Sequence, residues 1–131
     1  MNSRAQVEEI YKLCLSEVSN NNANTLTYGE VLEKLGYEKK TSGNAIRHAL
    51  ELLLIACGYH NLPRLSYLIV NKSSGRPTNN AYQHEKWDEE LEKIKTFQTW
   101  PQVEEIDWEH IWNNRVSLSA QYGVPGYWGN G

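Results

Sequence analysis

The chain begins with apolar and polar positions that alternate with the period of an α-helix. Over residues 3–19 the apolar side chains recur every three or four positions, and the polar run NNNAN follows them. Such spacing lines one face of a helix with residues that avoid water. The pattern predicts a packing helix and a loop that together span residues 3–25.

The stretch TYGEVLEKLG predicts a short second helix with a defined start and end. Thr27 stands three residues before Glu30, which is the spacing of a capping box, in which each side chain bonds the other residue's backbone amide. Val31 and Leu32 give this helix a buried side. Gly36 supplies the left-handed residue that ends it.

A third helix of about 15 residues is predicted after Ser42, a good N-cap residue, with Gly58 closing it. The run 65–71 is rich in strand-forming residues, and KSSG has the composition of a turn. The order helix, helix, helix, strand, turn predicts a winged helix-turn-helix core over residues 26–82. The polar residues expected on the outer side of the third helix are Asn44, Arg47, His48 and Glu51.

The last third of the chain has a different pattern. Trp87, Leu91 and Ile94 form one helical stripe within residues 84–98, and a final helix is expected just after Pro101. These two C-terminal helices are assigned to residues 83–116, and a tail rich in glycine and aromatic residues to 117–131. With 131 residues and 40% hydrophobic content, the whole chain is predicted as one mainly α domain with a small β element.

The charge is distributed unevenly over this order of elements. Residues 28–76 carry seven Lys and Arg against four Asp and Glu, a net of +3, whereas residues 77–131 carry four against nine, a net of -5. A basic block on an acidic chain can face a phosphate backbone, because screening makes the near field count more than the total. Ordinary surface variation gives the same composition without any partner.

Several function classes lack their sequence signals. The chain has no glycine-rich phosphate loop, GxSxG or HExxH motif, and its four histidines are scattered, so neither a metal nor a cofactor is expected. Cys14 and Cys57 are predicted as buried reduced thiols. The acidic run from Asp88 to Glu92 is interpreted as a solvated helix face. Without a run of 18 apolar residues or an export signal, a cytoplasmic protein free of membrane contact is expected.

The basic block supplies candidates for contacts with nucleic acid. Lysine and arginine side chains neutralise phosphates, while Asn44 or Arg47 at the start of the third helix is placed to reach base edges. The same residues serve equally well as solubilising surface groups, and a helix-turn-helix also occurs as a protein-interaction scaffold. The candidate DNA-binding residues are Tyr28, Lys39, Lys40, Asn44, Arg47, His48, Lys72 and Arg76, and Arg64 is a further basic candidate.

TYGEVLEKLG, SGNAIRHAL and YLIVNKSSGR together resemble the DNA-binding domain of the O6-alkylguanine DNA alkyltransferases and their non-catalytic alkyltransferase-like relatives. Those families read roughly TYGEIA, ARAVGxAL and P(C/W)HRVVxSxGR. The similarity covers about residues 26–76 and implies a winged helix that docks on duplex DNA. The whole chain also resembles a group of small bacterial and phage proteins that share TYGE, the VVNK-TG segment and a WxxELxxI helix, and this likeness implies no activity.

The resemblance assigns roles residue by residue. It places Tyr28 where the alkyltransferases keep a tyrosine that crowds the DNA phosphate during base flipping. Asn44 stands where they keep the arginine that fills the gap left by the flipped nucleotide. Ser66 stands in place of the acceptor cysteine, and Tyr67 and Leu68 replace its adjoining His and Arg. Without a thiolate and its activating histidine, alkyl transfer has no chemical basis, so a non-enzyme is expected.

Three hypotheses follow for the function. The first is a non-catalytic winged-helix protein that contacts duplex DNA through its second and third helices and a wing. The second is a small protein-binding inhibitor or adaptor, from a phage or mobile element, that acts through its acidic aromatic C-terminal part. The third is recognition of an altered base without turnover. The residues assigned to the second hypothesis are Trp108, Trp112, Tyr127 and Trp128.

Overall fold

The computed structural model describes residues 1–20, 23–77 and 86–123. The chain is mainly α-helical with a small β element, as the sequence predicts. The α-helices are α1 (Ser3–Asn20), α2 (Tyr28–Lys34), α3 (Arg47–Tyr59), α4 (Trp87–Thr96), α5 (Trp108–Asn113) and α6 (Arg115–Tyr122). The strands are β1 (Leu26–Thr27) and β2 (Ile69–Val70), and shorter 3-10 turns span Gly43–Ile46, Leu65–Leu68 and Val103–Glu105.

Helix α3 lies at the centre of the core, because its neighbours cover it along most of its length. Leu53, Ile55 and Cys57 are fully buried, and α1, α5 and α6 all pack against this helix. Tyr11 on α1 joins the C-terminal part of the chain, since its hydroxyl donates to the Pro101 carbonyl at 2.7 Å. Its ring also meets the edge of Trp108 at 5.8 Å between centroids. The described C-terminal helices are therefore part of one core with α1 and α3.

The small sheet differs from the predicted strand over residues 65–71. Leu65–Leu68 forms a 3-10 turn, and only Ile69–Val70 is extended, paired in parallel with β1 in the register Leu26 with Ile69 and Thr27 with Val70. Leu65, Tyr67 and Leu68 are all buried in this turn. The second strand of a predicted hairpin would fall largely beyond residue 77, outside the described residues.

The third helix departs from its prediction at both ends. Ser42 accepts a hydrogen bond from the Asn44 amide at 3.2 Å, but it caps a 3-10 turn, and α3 begins at Arg47. Gly58 lies inside the helix and does not close it; Asn61, with φ of 58°, follows the helix instead. Glu51, expected on the outer side, is only 3% exposed. That expectation failed because α6 packs on the face of α3 that the sequence pattern left to solvent.

The C-terminal region is divided more finely than the sequence suggests. In place of one final helix after Pro101, the chain forms the turn Val103–Glu105 and then α5 and α6, since Asp107 caps a new helix by accepting the His110 amide at 3.2 Å. Residues 117–122, assigned to the tail, lie in α6, whereas 124–131 are outside the described residues. None of the described helices combines the length and the hydrophobicity needed to cross a membrane.

Helix α4 forms as predicted, with Ile94 fully buried on its apolar stripe. Its acidic residues are not all solvated, because Glu90 is 6% exposed. The Glu90 carboxylate lies 3.6 Å from the Arg64 guanidinium and 3.0 Å from the Lys93 ammonium. A buried carboxylate requires such partners, so this part of the predicted solvated face is wrong and Glu90 instead ties α4 to the segment before β2.

Candidate nucleic-acid interface

The start of α2 is fixed by the predicted capping box. The Glu30 amide donates to the Thr27 hydroxyl at 3.1 Å, and the Thr27 amide donates to the Glu30 carboxylate at 2.8 Å. Two backbone donors that a helix start leaves unpaired are thereby satisfied. Because Tyr28 is the first residue of α2, this arrangement also sets the direction in which its half-buried ring leaves the backbone.

Tyr28 packs against the beginning of the next helical segment. A Cβ atom built on Gly43 would lie 3.7 Å from the Tyr28 Cβ, so this position lies against the Tyr28 side chain at van der Waals distance. Gln6 of α1 donates to the Ala45 carbonyl at 2.8 Å and holds the same turn from behind. Asn44 is therefore exposed next to Tyr28 on a turn supported from two sides.

Arg47 and His48 are exposed on the first turn of α3. Partial burial, the Arg47 charge and then the Arg115 charge hold the pKa of His48 below its ordinary value. Arg115 belongs to α6, where its guanidinium lies 3.9 Å from the ring centroid of Trp112. Positive charge thus reaches the start of α3 from two helices that are far apart in the sequence. The resemblance to the alkyltransferases gave no indication that Arg115 lies there.

Lys39 and Lys72 come together on one cleft although 33 positions separate them in the chain. The cleft has a volume of 480 Å³ and runs along α2 between the turn 37–41 and the turn after β2. Lys40 is exposed next to Lys39. The cleft is not uniformly positive, since carboxylates also line it; its wall includes Thr27, Gly29, Glu30, Glu33, Glu38, Lys39 and Lys72.

The turn after β2 is a closed loop of defined geometry. The Asn71 amide donates to the Arg76 carbonyl at 2.8 Å, and the Gly75 amide donates back to the Asn71 carbonyl at 2.8 Å. The Asn71 side chain accepts from the amide and the hydroxyl of Ser73 at 2.9 and 2.6 Å. Gly75 has φ of 69°, which suits glycine. The turn therefore presents Lys72 and Arg76 on an ordered backbone, both exposed.

Ser66, at the position of the acceptor cysteine in the resembled family, has a buried hydroxyl with no hydrogen-bond partner among the described residues. Cys14 lies near this segment, because its sulfur is 4.0 Å from the Leu65 carbonyl. Both thiols are buried, as predicted. Burial raises the pKa of Cys57 to about 12 and raises the pKa of Cys14 as well, so both stay protonated near neutral pH.

The aromatic residues assigned to a protein partner are separated by the structure. Trp108 is 7% exposed and donates from Nε1 to the Val103 carbonyl at 2.9 Å, so it is a core residue. Trp112 is half-buried beside Arg115. Tyr127 and Trp128 lie outside the described residues. Of the four, Trp112 alone is a described side chain with appreciable surface exposure.

Glu51 and Trp87 make hydrogen bonds near this surface that sequence patterns did not indicate. The Glu51 carboxylate accepts the Ser119 hydroxyl at 3.0 Å, which joins α3 to α6 one turn beyond His48. Trp87 donates from Nε1 to the Tyr67 carbonyl at 3.1 Å. Both contacts cross more than 15 positions in sequence, so helical periodicity carries no signal for them.

Among residues 1–20, 23–77 and 86–123, no three His, Cys, Asp or Glu side chains are grouped to hold a metal ion. Comparisons with protein-family models, with curated proteins and with solved structures found no match to this chain.

Proposed function

We propose that this protein is a non-enzymatic winged-helix domain that binds duplex DNA through α2, the start of α3 and the turn after β2. The proposal is supported by positive side chains on three separate segments, two of which meet at one cleft through Lys39 and Lys72, while the third lies beside the contact between Tyr28 and Gly43. The segments are the turn after α2, the first turn of α3 and the turn 71–76. The last of these follows β2, and it is the segment that we propose as the wing.

The residues divide by the kind of contact that they are suited to make. Arg47 and His48 are exposed at the start of the central helix, the part that enters a groove in helix-turn-helix proteins, and Asn44 is exposed on the 3-10 turn that leads into it. Tyr28 packs beside them. The remaining cations flank this helix on its two neighbouring turns and suit the phosphate backbone, which is bound by Lys39, Lys40, Lys72 and Arg76.

Because the proposal includes four phosphate contacts, it predicts how strongly the DNA affinity depends on the salt concentration. Each neutralised phosphate of B-DNA contributes about -0.9 to the slope of log K against log salt, so these cations give a slope of about -3.6. A fourfold increase in salt then weakens binding by roughly a hundredfold. Glu30, Glu33 and Glu38 on the cleft wall oppose this attraction, because carboxylates repel phosphate.

Alkyl transfer is not part of the proposed function. Ser66 in place of an acceptor cysteine supplies no thiolate, and the two thiols that exist are buried and protonated. Asn44 is also shorter than the arginine that the resembled family keeps, so we propose binding to intact duplex without extrusion of a base.

Fluorescence anisotropy of a labelled short duplex at two salt concentrations tests the proposal. The double variant Arg47→Ala/Lys72→Ala is expected to lose binding at the higher salt and to show a smaller salt slope than the unsubstituted protein. The matched control is Lys12→Ala/Lys95→Ala, which removes the same charge from exposed positions on α1 and α4. Equal losses in both variants, or no binding at low salt, would overturn the proposal, and the latter result would favour a protein partner.

A further inference from the structure

Helix α4 lies outside the segment that resembles a DNA-binding domain, and its first turn is acidic. Its first residue nevertheless contacts the proposed wing and the 3-10 turn that precedes β2. Trp87 donates from Nε1 to the Tyr67 carbonyl at 3.1 Å, and the Arg76 guanidinium carbon lies 4.9 Å from the centroid of the Trp87 ring system. The indole is therefore placed between the chain that enters β2 and the cation that ends the turn.

The position of Trp87 is fixed by the hydrogen bond of its indole and by the packing of the helix that carries it. Its hydrogen bond reaches a backbone carbonyl in the buried 3-10 turn before β2, a group that does not move by side-chain rotation. One helical turn later, Glu90 pairs with Arg64 at 3.6 Å, and Ile94 is fully buried a turn beyond it. The helix that carries the indole is thus held against the same segment that leads into the wing.

Stacking on an indole is compatible with a phosphate contact by the same guanidinium. The N–H donors of arginine lie in the plane of the group and point outward from its edge, whereas the ring occupies a face. Arg76 is an exposed residue of the turn. A long side chain that is already ordered loses less conformational freedom when it binds.

We infer that Trp87 is a positioning residue for DNA binding, which holds Arg76 of the wing in the orientation that contacts a phosphate. This inference rests on the proposed function. It assigns the acidic α4 a role in the interface without any contact between α4 and DNA.

A double-mutant cycle on DNA affinity tests the inference, with Trp87→Ala, Arg76→Ala and the two combined. Trp87→Ala is expected to weaken binding by about two- to fivefold, the range that an exposed cation–π contact supports. It is expected to have no further effect in the Arg76→Ala background and to lower the salt slope as Arg76→Ala does. A merely structural role for Trp87 would weaken binding in both backgrounds and leave the slope unchanged, and this result would overturn the inference.

A second pair of variants keeps the test valid if Trp87→Ala fails to fold. Trp87→Phe removes the Nε1 donor but keeps a ring, and Trp100→Phe removes the indole donor of another half-buried tryptophan, whose Nε1 has no partner among the described residues. Weaker DNA binding is expected for Trp87→Phe alone, and equal effects would contradict the inference. Absence of salt-dependent binding by the unsubstituted protein would instead remove the proposed function itself.

Discussion

Thr27 shows how one side chain fixes a local structure on which the candidate site depends. Its hydroxyl satisfies the Glu30 amide, and the Glu30 carboxylate satisfies the Thr27 amide, so the start of α2 is specified by two residues three positions apart. This contact was predictable from the sequence because both partners are local. The burial of Glu51 and Glu90 was not, because their partners come from other elements.

Replacement of the cap should measurably destabilise the domain. Thr27→Ala is expected to lower the free energy of unfolding by about 1 kcal/mol, since it leaves the amide at the third helical position without its acceptor. Urea denaturation measures the change. The control Thr25→Ala alters an exposed threonine outside the helix and should change stability little. An unchanged midpoint for Thr27→Ala would contradict the role of the cap.

His60 makes stability depend on pH. Its Nε2 accepts the Asp107 amide at 3.1 Å, and burial holds the pKa of His60 below its ordinary value of 6.5, against the opposing influence of the Asp107 charge. His60 then binds a proton more readily in the unfolded chain than in the folded one. Its contribution to the free energy of unfolding is therefore fully present above pH 6.5 and is lost as the pH falls through the lower pKa of the folded state.

Urea denaturation at pH 7.5 and at about pH 5.5 checks this expectation for His60. The chain should be less stable at the lower pH, and His60→Gln should reduce the difference. Some pH dependence should persist in the variant, because the pKa of His48 is also lowered, chiefly by burial. If His60→Gln retained the full pH dependence of the unsubstituted protein, the lowered pKa of His60 would not be its source.

At the scale of elements, helices with one buried face could be predicted from the sequence, whereas elements whose form depends on packing against other elements could not. The periodicity of residues 3–19 and 84–98 gave α1 and α4 nearly to their ends. The segment Leu65–Leu68 has strand-forming residues, yet three of its four side chains are buried and a turn accommodates them. Gly58 looked like a helix terminus, but it lies where α6 crosses α3.

Gly58→Ala is expected to destabilise the protein although helix propensity favours alanine, because Gly58 lies at the contact between α3 and α6. Propensity alone would stabilise α3 by about 1 kcal/mol, but the added Cβ would lie 2.7 Å from the Tyr122 Cβ. Overpacking of this kind costs about 1–3 kcal/mol, and α6 has to shift because the clash is next to its backbone. Net destabilisation is expected in thermal or urea unfolding.

Gly29→Ala is the matched control for Gly58→Ala. A Cβ on Gly29 would meet nothing nearer than the Thr27 hydroxyl at 3.9 Å, so the helix gains propensity without a clash. Unchanged or increased stability is expected for Gly29→Ala. Equal stabilisation of both variants would show that α6 does not pack closely on α3 at this position.

At the scale of the whole molecule, the basic segments pack against the acidic C-terminal part, since Arg76 contacts Trp87 of α4 and Arg64 pairs with Glu90. The candidate residues Lys39, Lys40, Lys72 and Arg76 were all selected from the sequence, but the position of Lys39 beside Lys72 and that of Arg76 on Trp87 depend on tertiary contacts. Lys39 and Lys72 share a cleft because β1 and β2 pair in parallel, which the predicted strand and hairpin did not include. Arg115 joins the start of α3 only because α6 packs there, so local sequence carried no signal for it.

Backbone amide shifts of the ¹⁵N-labelled protein, titrated with a short duplex at low salt, test the central proposal most directly. The largest changes are expected at Tyr28, in residues 39–48 and in residues 72–76, with the acidic positions Asp88, Glu89 and Glu92 little affected. Such a map would locate DNA on α2, the start of α3 and the turn after β2. Changes concentrated on α4–α6, or none at all, would contradict a DNA-binding role for this surface.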